Sequence, residues 1–365
     1  MTKILEKVKS SRPYLDYIIF GLILCLVPLF IDLGVFRSAW LLTIGTFIAY
    51  AIACLGKNIL MGYGGLASLG TAGFIGVGAY MTAILTVDLG WSFFPVFITV
   101  IVFTTLLGIV VGLLSLRVEG FFLAIATLVV AEIFRQIFIQ VPIFNGFAGR
   151  NMQIDGVGPN RFPRLLSERA NESITESGGF LYDSFLHNFL TLNQTYFMLV
   201  IFLVLAMILT YRIFKSPTGR AMSAMSGSQS AAAAMGVNIF KYRLYTFAIS
   251  TAFAGASGSL FMFFMRFTNP WDWTLILSLF VFAAVVIGGM RSVSGTILGA
   301  AIVWLVPPLI LENIPVIGDV SGLSLVFTGI VIIVVVIFSP SGLIYLWWKF
   351  WYWLKPKFSR KKEVA

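Results

Sequence analysis

Apolar residues come in long unbroken runs, parted by short polar stretches, and they do not alternate with polar ones. A run of about 20 apolar residues crosses a hydrocarbon core as one helix. A membrane strand would instead alternate over about ten. The pattern predicts an all-α polytopic membrane protein of about ten transmembrane helices. They fall at Tyr14–Ile31, Phe36–Leu55, Asn58–Val87, Trp91–Leu116, Gly120–Gln140, Leu192–Phe214, Leu244–Met265, Leu275–Gly289, Thr296–Leu311 and Gly322–Phe338. Residues 1–365 read as one transmembrane domain. Three polar stretches interrupt it, at 141–191, 214–243 and 343–365.

The stretch 214–243 is a polar island, FKSPTGRAMSAMSGSQSAAAAMGVNIFKYR, with cations at Lys215, Arg220, Lys241 and Arg243 and no acidic residue. The alanine run favours a short helix over Ser228–Met235, and Gly236 is a natural stop just past it. The third predicted span is crowded with glycine. Gly62, Tyr63, Gly64 and Gly65 are poor helix material and predict a broken helix, tolerated at membrane depth only where protein or water lines it. Ser68 follows in the same stretch. Gly73–Gly78 reads as close helix packing. Ser250, Ala254 and Gly258 form a small-residue stripe at four-residue spacing, and Gly288, Gly289, Gly295 and Gly299 bracket a short turn. Glu132 and Arg135 are the two charges placed inside a span. At i, i+3 they share a helix face, and charges at that depth point to a pathway.

Composition agrees with the pattern. Charged residues are 11% of the chain, against about 25% in soluble domains. The net charge of +10 matters by its position, because Lys and Arg favour the cytoplasmic side. The N-terminal cluster, Lys57, Arg117, the island, Arg291 and the basic tail lie on one side if the N-terminus is inside, so both termini are expected in the cytoplasm. The first apolar run follows Lys3, Lys7, Lys9 and Arg12 like a signal peptide. No small-residue cleavage site follows it, so an uncleaved first span is expected. Trp347, Trp348, Trp351 and Trp353 before Lys355 and Lys357 read as an interfacial anchor on anionic membrane lipid. Cys25 and Cys54 fall inside spans and read as apolar filler, and His187 is the sole histidine. A metal site, a catalytic residue set and nucleic-acid binding are not expected.

Six stretches in order then carry a resemblance. They are GYGGLASLGTAGF at Gly62–Phe74, LRVEGFFLAIATLVVAEIFR at Leu116–Arg135 and SPTGRAMSAM at Ser216–Met225. After them come AAAAMGVNIFKYRLYTFAISTAFAGASGSL at Ala231–Leu260, VVIGGMRSVSG at Val285–Gly295 and PSGL at Pro340–Leu343. Together the chain resembles the permease subunits of ATP-binding-cassette importers for branched-chain amino acids, of the LivM type. The resemblance implies a bacterial inner-membrane importer with a second, LivH-like permease subunit, two cytoplasmic ATP-binding subunits and an extracytoplasmic solute-binding protein. It implies that ATP and Mg are held by those partner subunits and that no cofactor is bound here. It places the ATPase coupling helix in the island, at Gly219, Arg220, Ser228, Gln229, Ala231, Ala232, Ala233 and Gly236. The chain has no phosphate loop of its own, so energy from ATP must come from a partner.

The chain departs from the family pattern at Gly227, Ser228 and Gln229, where members usually carry acids. It also departs at Leu66 and Thr71, where Gln and His are frequent, and at Arg291, where Gly is usual. A permease for urea, amides or another small polar solute is the alternative. A stand-alone secondary transporter would need more intramembrane acids or histidines than Glu132 and Arg135 offer. A membrane enzyme would need a cluster of nucleophile, base or metal ligands.

Overall fold

In a computed structural model, residues 13–32, 39–115, 121–144, 150–151, 194–309, 323–338 and 342–343 are described. Among the described residues, six helices are long and apolar enough to cross a membrane, and four shorter apolar helices stand among them. In chain order the elements are α1 (Pro13–Cys25), α2 (Val27–Asp32), α3 (Ala39–Asn58), α4 (Thr71–Val87), α5 (Phe93–Ser115) and α6 (Phe121–Gln140). After β1 (Arg150–Asn151) come α7 (Gln194–Lys215), α8 (Pro217–Gly227), α9 (Gln229–Ala234) and α10 (Ile239–Met265). β2 (Phe267–Thr268), α11 (Leu275–Gly288), α12 (Val293–Trp304), α13 (Val306–Leu309) and α14 (Leu323–Phe338) complete the order. The fold is an all-α polytopic membrane protein; β1 and β2 form a single antiparallel pairing of Arg150 with Thr268 and Asn151 with Phe267.

The core is built on α10, which packs against α3, α4 and α5. The spans carrying α3 and α10 are 83% and 78% buried, whereas that of α6 is only 28% buried. Lipid tails are as apolar as leucine side chains, so close backbone packing must hold such helices together. Glycines supply it. A Cβ at Gly258 would come 1.9 Å from the Ile75 carbonyl, and one at Gly78 would come 2.5 Å from the Gly255 carbonyl. Ser250 and Ala254 are buried on the same helix. The α11–α12 crossing works the same way: a Cβ at Gly288 would meet the Gly295 carbonyl at 1.9 Å, and one at Gly299 the Ala284 carbonyl at 1.9 Å. Gly289 ends α11 with φ at 109°, a conformation open to glycine.

Three expectations about the spans change. Residues 58–63 do not begin the third span. They continue α3 as a π turn, Ile59–Tyr63, so the third span starts only at Thr71. The helix predicted to start at Leu244 starts at Ile239, because the Asn238 side chain caps it by accepting from Lys241 N at 3.0 Å. The segment predicted at Thr296–Leu311 is α12 with the one-turn α13 after it, interrupted at Leu305. Of the stretch 141–191, only Val141–Phe144 and Arg150–Asn151 are among the described residues. The tail 343–365 lies outside them beyond Leu343.

Candidate functional site

The broken segment is built where α3 runs out. Ile59 to Tyr63 wind into a π turn, in which Gly64 N donates to the Ile59 carbonyl at 3.0 Å. π turns mark helices whose regular ladder is opened locally. Gly65 then takes φ at 65°, and Leu66 to Gly70 are non-helical. The freed backbone is not left open, since each unsatisfied group is costly at membrane depth. Leu69 N donates to Thr127 Oγ1 at 3.0 Å, and Ala72 N donates to Ser278 Oγ at 2.9 Å. Lys57 donates to the Ser68 carbonyl and to Thr71 Oγ1, the latter at 3.0 Å. Ser68 is itself 3% exposed.

Lys57 overturns one expectation. The charges inside the spans are not confined to Glu132 and Arg135, because Lys57 is fully buried in the span Trp40–Tyr63. Its place beside Asn58 at the end of an apolar run reads in sequence as a loop cation. The π turn carries the helix past it and takes it inside.

Arg291 holds the break from the other side. It sits in the turn between α11 and α12 with φ at 67°, unusual for a residue with a side chain. Its backbone N–H donates to Asn58 Oδ1 at 2.8 Å, and its Nε donates to the Gly62 carbonyl at 2.6 Å. Asn58 in turn donates to the Ser292 carbonyl at 3.1 Å and to Thr296 Oγ1 at 2.8 Å. The Arg291 guanidinium also donates to Ser226 Oγ, at the end of α8, at 2.7 Å. Tyr63 stacks on Phe214 with ring centroids 3.9 Å apart. The break and the polar island are thus joined directly.

The island holds two helices with a corner between them, rather than one. Ser216 caps α8 by accepting from Gly219 N at 3.0 Å, with Pro217 in the first turn. Gly219 is buried where α8 folds back on α7; a Cβ there would lie 2.2 Å from the Ile213 carbonyl. Arg220 is exposed and donates to the Lys215 carbonyl. Ser228, predicted as the first residue of this helix, is instead extended and outside it, and caps α9 by accepting from Ala231 N at 3.3 Å. Ala231 and Ala233 are exposed on α9 while Ala232 is buried. Gly236 leaves the helix at φ 81°. Gln229 is held within the chain, because Arg243 donates to its Oε1 at 2.6 Å. Met235 at the tip is 86% exposed.

Glu132 and Arg135 face each other along α6. Arg135 Nε donates to Glu132 Oε2 at 2.8 Å and Nη2 to Oε1 at 2.5 Å. Gln136 Nε2 joins the same carboxylate at 2.9 Å, and the guanidinium lies 5.3 Å from the centre of the Trp271 ring. The pair and the break are not brought together; Thr127, which receives Leu69 N, is the α6 residue that reaches the break.

Sequence reasoning missed the partners Asn58, Ser226 and Arg243. Nothing in their local sequence marks them. It also missed a second ion pair, Arg150 with Asp88, which ties β1 to the end of α4.

Residues 40–336 match the family described as Branched-chain amino acid transport system / permease component. The chain belongs to this permease family. It is 30% identical over 308 residues to the high-affinity branched-chain amino acid transport system permease protein LivM of Salmonella typhimurium, covering 81% of this chain and 67% of that one. The same identity and shares hold for the Escherichia coli LivM. A shorter match, 28% over 142 residues, is to a probable branched-chain amino acid transport permease protein LivH of Methanocaldococcus jannaschii; it covers 38% of this chain and 44% of the relative. No solved structure matches the chain. Membership in this family makes the chain a LivM-type transport subunit of a multi-subunit system, and a multi-pass membrane protein.

Proposed function

We propose that this chain is one membrane-spanning permease of an ATP-driven importer for branched-chain or related small amino acids. Its family and its similarity to the LivM proteins support the transport role. The observation that carries the coupling is the link from α8 through Ser226 and Arg291 to the Gly62 carbonyl. A short exposed helix joined by hydrogen bonds to a break in a span can pass a push from outside the membrane to its interior.

In this reading α8 and α9 face the cytoplasm with both termini. Ala231, Ala233 and Met235 meet an ATP-binding subunit that holds ATP and Mg. An extracytoplasmic binding protein delivers the solute to the opposite side. Ser228 and Gln229, exposed at the corner beside Ala231, belong to the same contact with the ATP-binding subunit, with Arg243 holding Gln229 in place. The break at Gly62, Tyr63, Gly64, Gly65 and Ser68 is the movable segment, and the small-residue crossings at Gly258 and Gly288 are the rigid frame around it.

Uptake of labelled leucine, isoleucine, valine, urea and acetamide by the complex reconstituted in vesicles tests the reading. ATP-dependent accumulation of the three amino acids supports it. Accumulation of the amides alone, or uptake without ATP, overturns it.

A further inference from the structure

Among the described residues, Lys57 is a buried cation with no carboxylate in contact. The ion pairs there join other charges, Glu132 with Arg135 and Asp88 with Arg150. The acceptors of Lys57 are the Ser68 carbonyl and the Thr71 hydroxyl, both neutral. A neutral donor would answer those oxygens without the cost of burying a charge. The chain nevertheless sets a full positive charge there, with no exposure to solvent. The surroundings show why a cation suits them. Lys57 lies in the last turn of α3, where the helix dipole presents its negative end. The Ser68 carbonyl comes from the non-helical stretch after Gly65, and Thr71 opens α4. The N–H groups of that stretch are engaged elsewhere. Leu69 N donates to Thr127, Gly70 N to the Ser68 hydroxyl and Ala72 N to Ser278. Oxygens are therefore what the break turns toward the ammonium. Unwound carbonyls and helix C-terminal ends are the groups that hold a monovalent ion in broken membrane helices. A divalent ion would ask for carboxylates.

We infer that the break between α3 and α4 forms a site for a small monovalent cation, and that Lys57 fills it with a tethered ammonium in place of a free sodium, potassium or ammonium ion. The site is then occupied in every molecule and in every salt. The break keeps its shape without drawing an ion from solution. Lys57 is a positioning residue in this sense: its charge, and not only its hydrogen bonds, holds residues 65–71. The inference stands apart from the choice of solute, because it is read at the segment itself.

The test is cation rescue in the full complex held in lipid nanodiscs. Lys57→Ala empties the site. Lys57→Met fills the same space with an uncharged stem, leaves no room for an ion and serves as the control. Hydrogen exchange of residues 65–71 is followed in choline chloride, then at equal ionic strength in sodium, potassium, ammonium or methylammonium chloride. In choline both variants are expected to exchange about tenfold faster than the parent. At least one small cation is expected to restore Lys57→Ala to near-parent protection in a saturable way. None should restore Lys57→Met, and the parent should respond to no salt. Parent-like protection of Lys57→Ala in choline, no restoration by any cation, or an equal response of Lys57→Met would overturn the inference. If Lys57→Ala is not recovered folded from choline, its recovery becomes the readout: rescue by a small cation supports the inference, and equal loss in every salt overturns it. Lys57→Gln keeps a neutral donor and isolates the charge; parent-like protection with glutamine in choline overturns the inference as well. Amino acid uptake by the parent complex is measured with choline replacing sodium and potassium. A requirement for either ion overturns this inference alone, whereas absence of uptake in every salt counts against the permease reading alone.

Discussion

Arg291 N donates to Asn58 Oδ1 at 2.8 Å across more than two hundred residues of chain. This bond sets two irregular pieces of backbone against each other, the π turn after α3 and the left-handed residue after α11. Each is uphill by itself: a residue with a side chain at positive φ costs about 1 kcal/mol. Asn58 offsets it by answering three groups at once, Arg291 N, the Ser292 carbonyl and Thr296 Oγ1.

Asn58→Ala therefore takes the acceptor from Arg291 N, while the Ser292 carbonyl keeps Thr296 N and Oγ1 as donors, at a cost of roughly 2 kcal/mol. The expected outcome is a melting temperature several degrees lower in detergent, followed by the loss of monodisperse protein on heating. Asn58→Asp keeps an acceptor for Arg291 N but sets a carboxylate oxygen against the Ser292 carbonyl at a fully buried position, and should lower the melt at least as far. A melt of Asn58→Ala equal to the parent would show that the turn holds itself.

Arg291→Gly separates fold from coupling. Glycine accepts φ 67° without strain and keeps the backbone bond to Asn58, while the side-chain bonds to Gly62 and Ser226 disappear. Relief of the positive φ and loss of the donor to the Gly62 carbonyl offset one another at about 1–3 kcal/mol each, so folding and membrane level should change little. Uptake should fall, because α8 is no longer tied to the break. Parallel assays of protein level and initial uptake rate check this; full uptake with the glycine would mean the tie carries no motion.

The sequence made the membrane class, the order of spans and the glycine crossings legible, because each depends on local composition. Gly258 and Gly288 stand where a Cβ would meet backbone at 1.9 Å, and their spacing alone marks them. The pairing of Glu132 with Arg135 was also within reach, being a contact of one helix turn. What was not legible depends on long-range geometry. Lys57 reads as a loop cation until the π turn extends α3 beyond it. Gln229 gives no sign in sequence of its partner Arg243, which reaches it from α10. Arg291 reads as a substitution in a glycine turn, and only the fold shows what its side chain grips.

The two central alanines of α9 should behave differently. Ala232 is 4% exposed, and Ala233 faces outward. Ala232→Trp must push into the chain, and overpacking of this kind costs about 1–3 kcal/mol or more; lower protein level is expected. Ala233→Trp should leave level and melt unchanged yet abolish substrate-stimulated ATP hydrolysis by the complex, since the bulk lies on the surface proposed to meet the ATPase. Steady-state ATPase assays with and without solute decide it. Normal stimulation in Ala233→Trp would place the contact elsewhere on the island.

Lys57 supplies the last test, because its ammonium is fully buried with a carbonyl and a hydroxyl as its acceptors. Burying an ammonium costs several kcal/mol unless its surroundings answer it, so a fold that keeps one is using it to hold something. What it holds is the non-helical segment between Gly65 and Thr71, whose other anchors are Thr127 and Ser278. Lys57→Met keeps the length of the stem and removes both the charge and its desolvation cost. The Ser68 carbonyl and Thr71 hydroxyl then lose a donor, roughly 1–3 kcal/mol each if nothing replaces it. These two effects oppose one another globally but not locally. The melting temperature should therefore move little, while amides of residues 65–71 exchange faster with deuterium and uptake declines. Lys57→Glu places a carboxylate against the Ser68 carbonyl, two acceptors with no proton between them, and should lower the level of folded protein sharply. Hydrogen exchange followed by mass spectrometry reads the segment directly. Unchanged protection across residues 65–71 in Lys57→Met would show that Thr127 and Ser278 hold the break without the lysine.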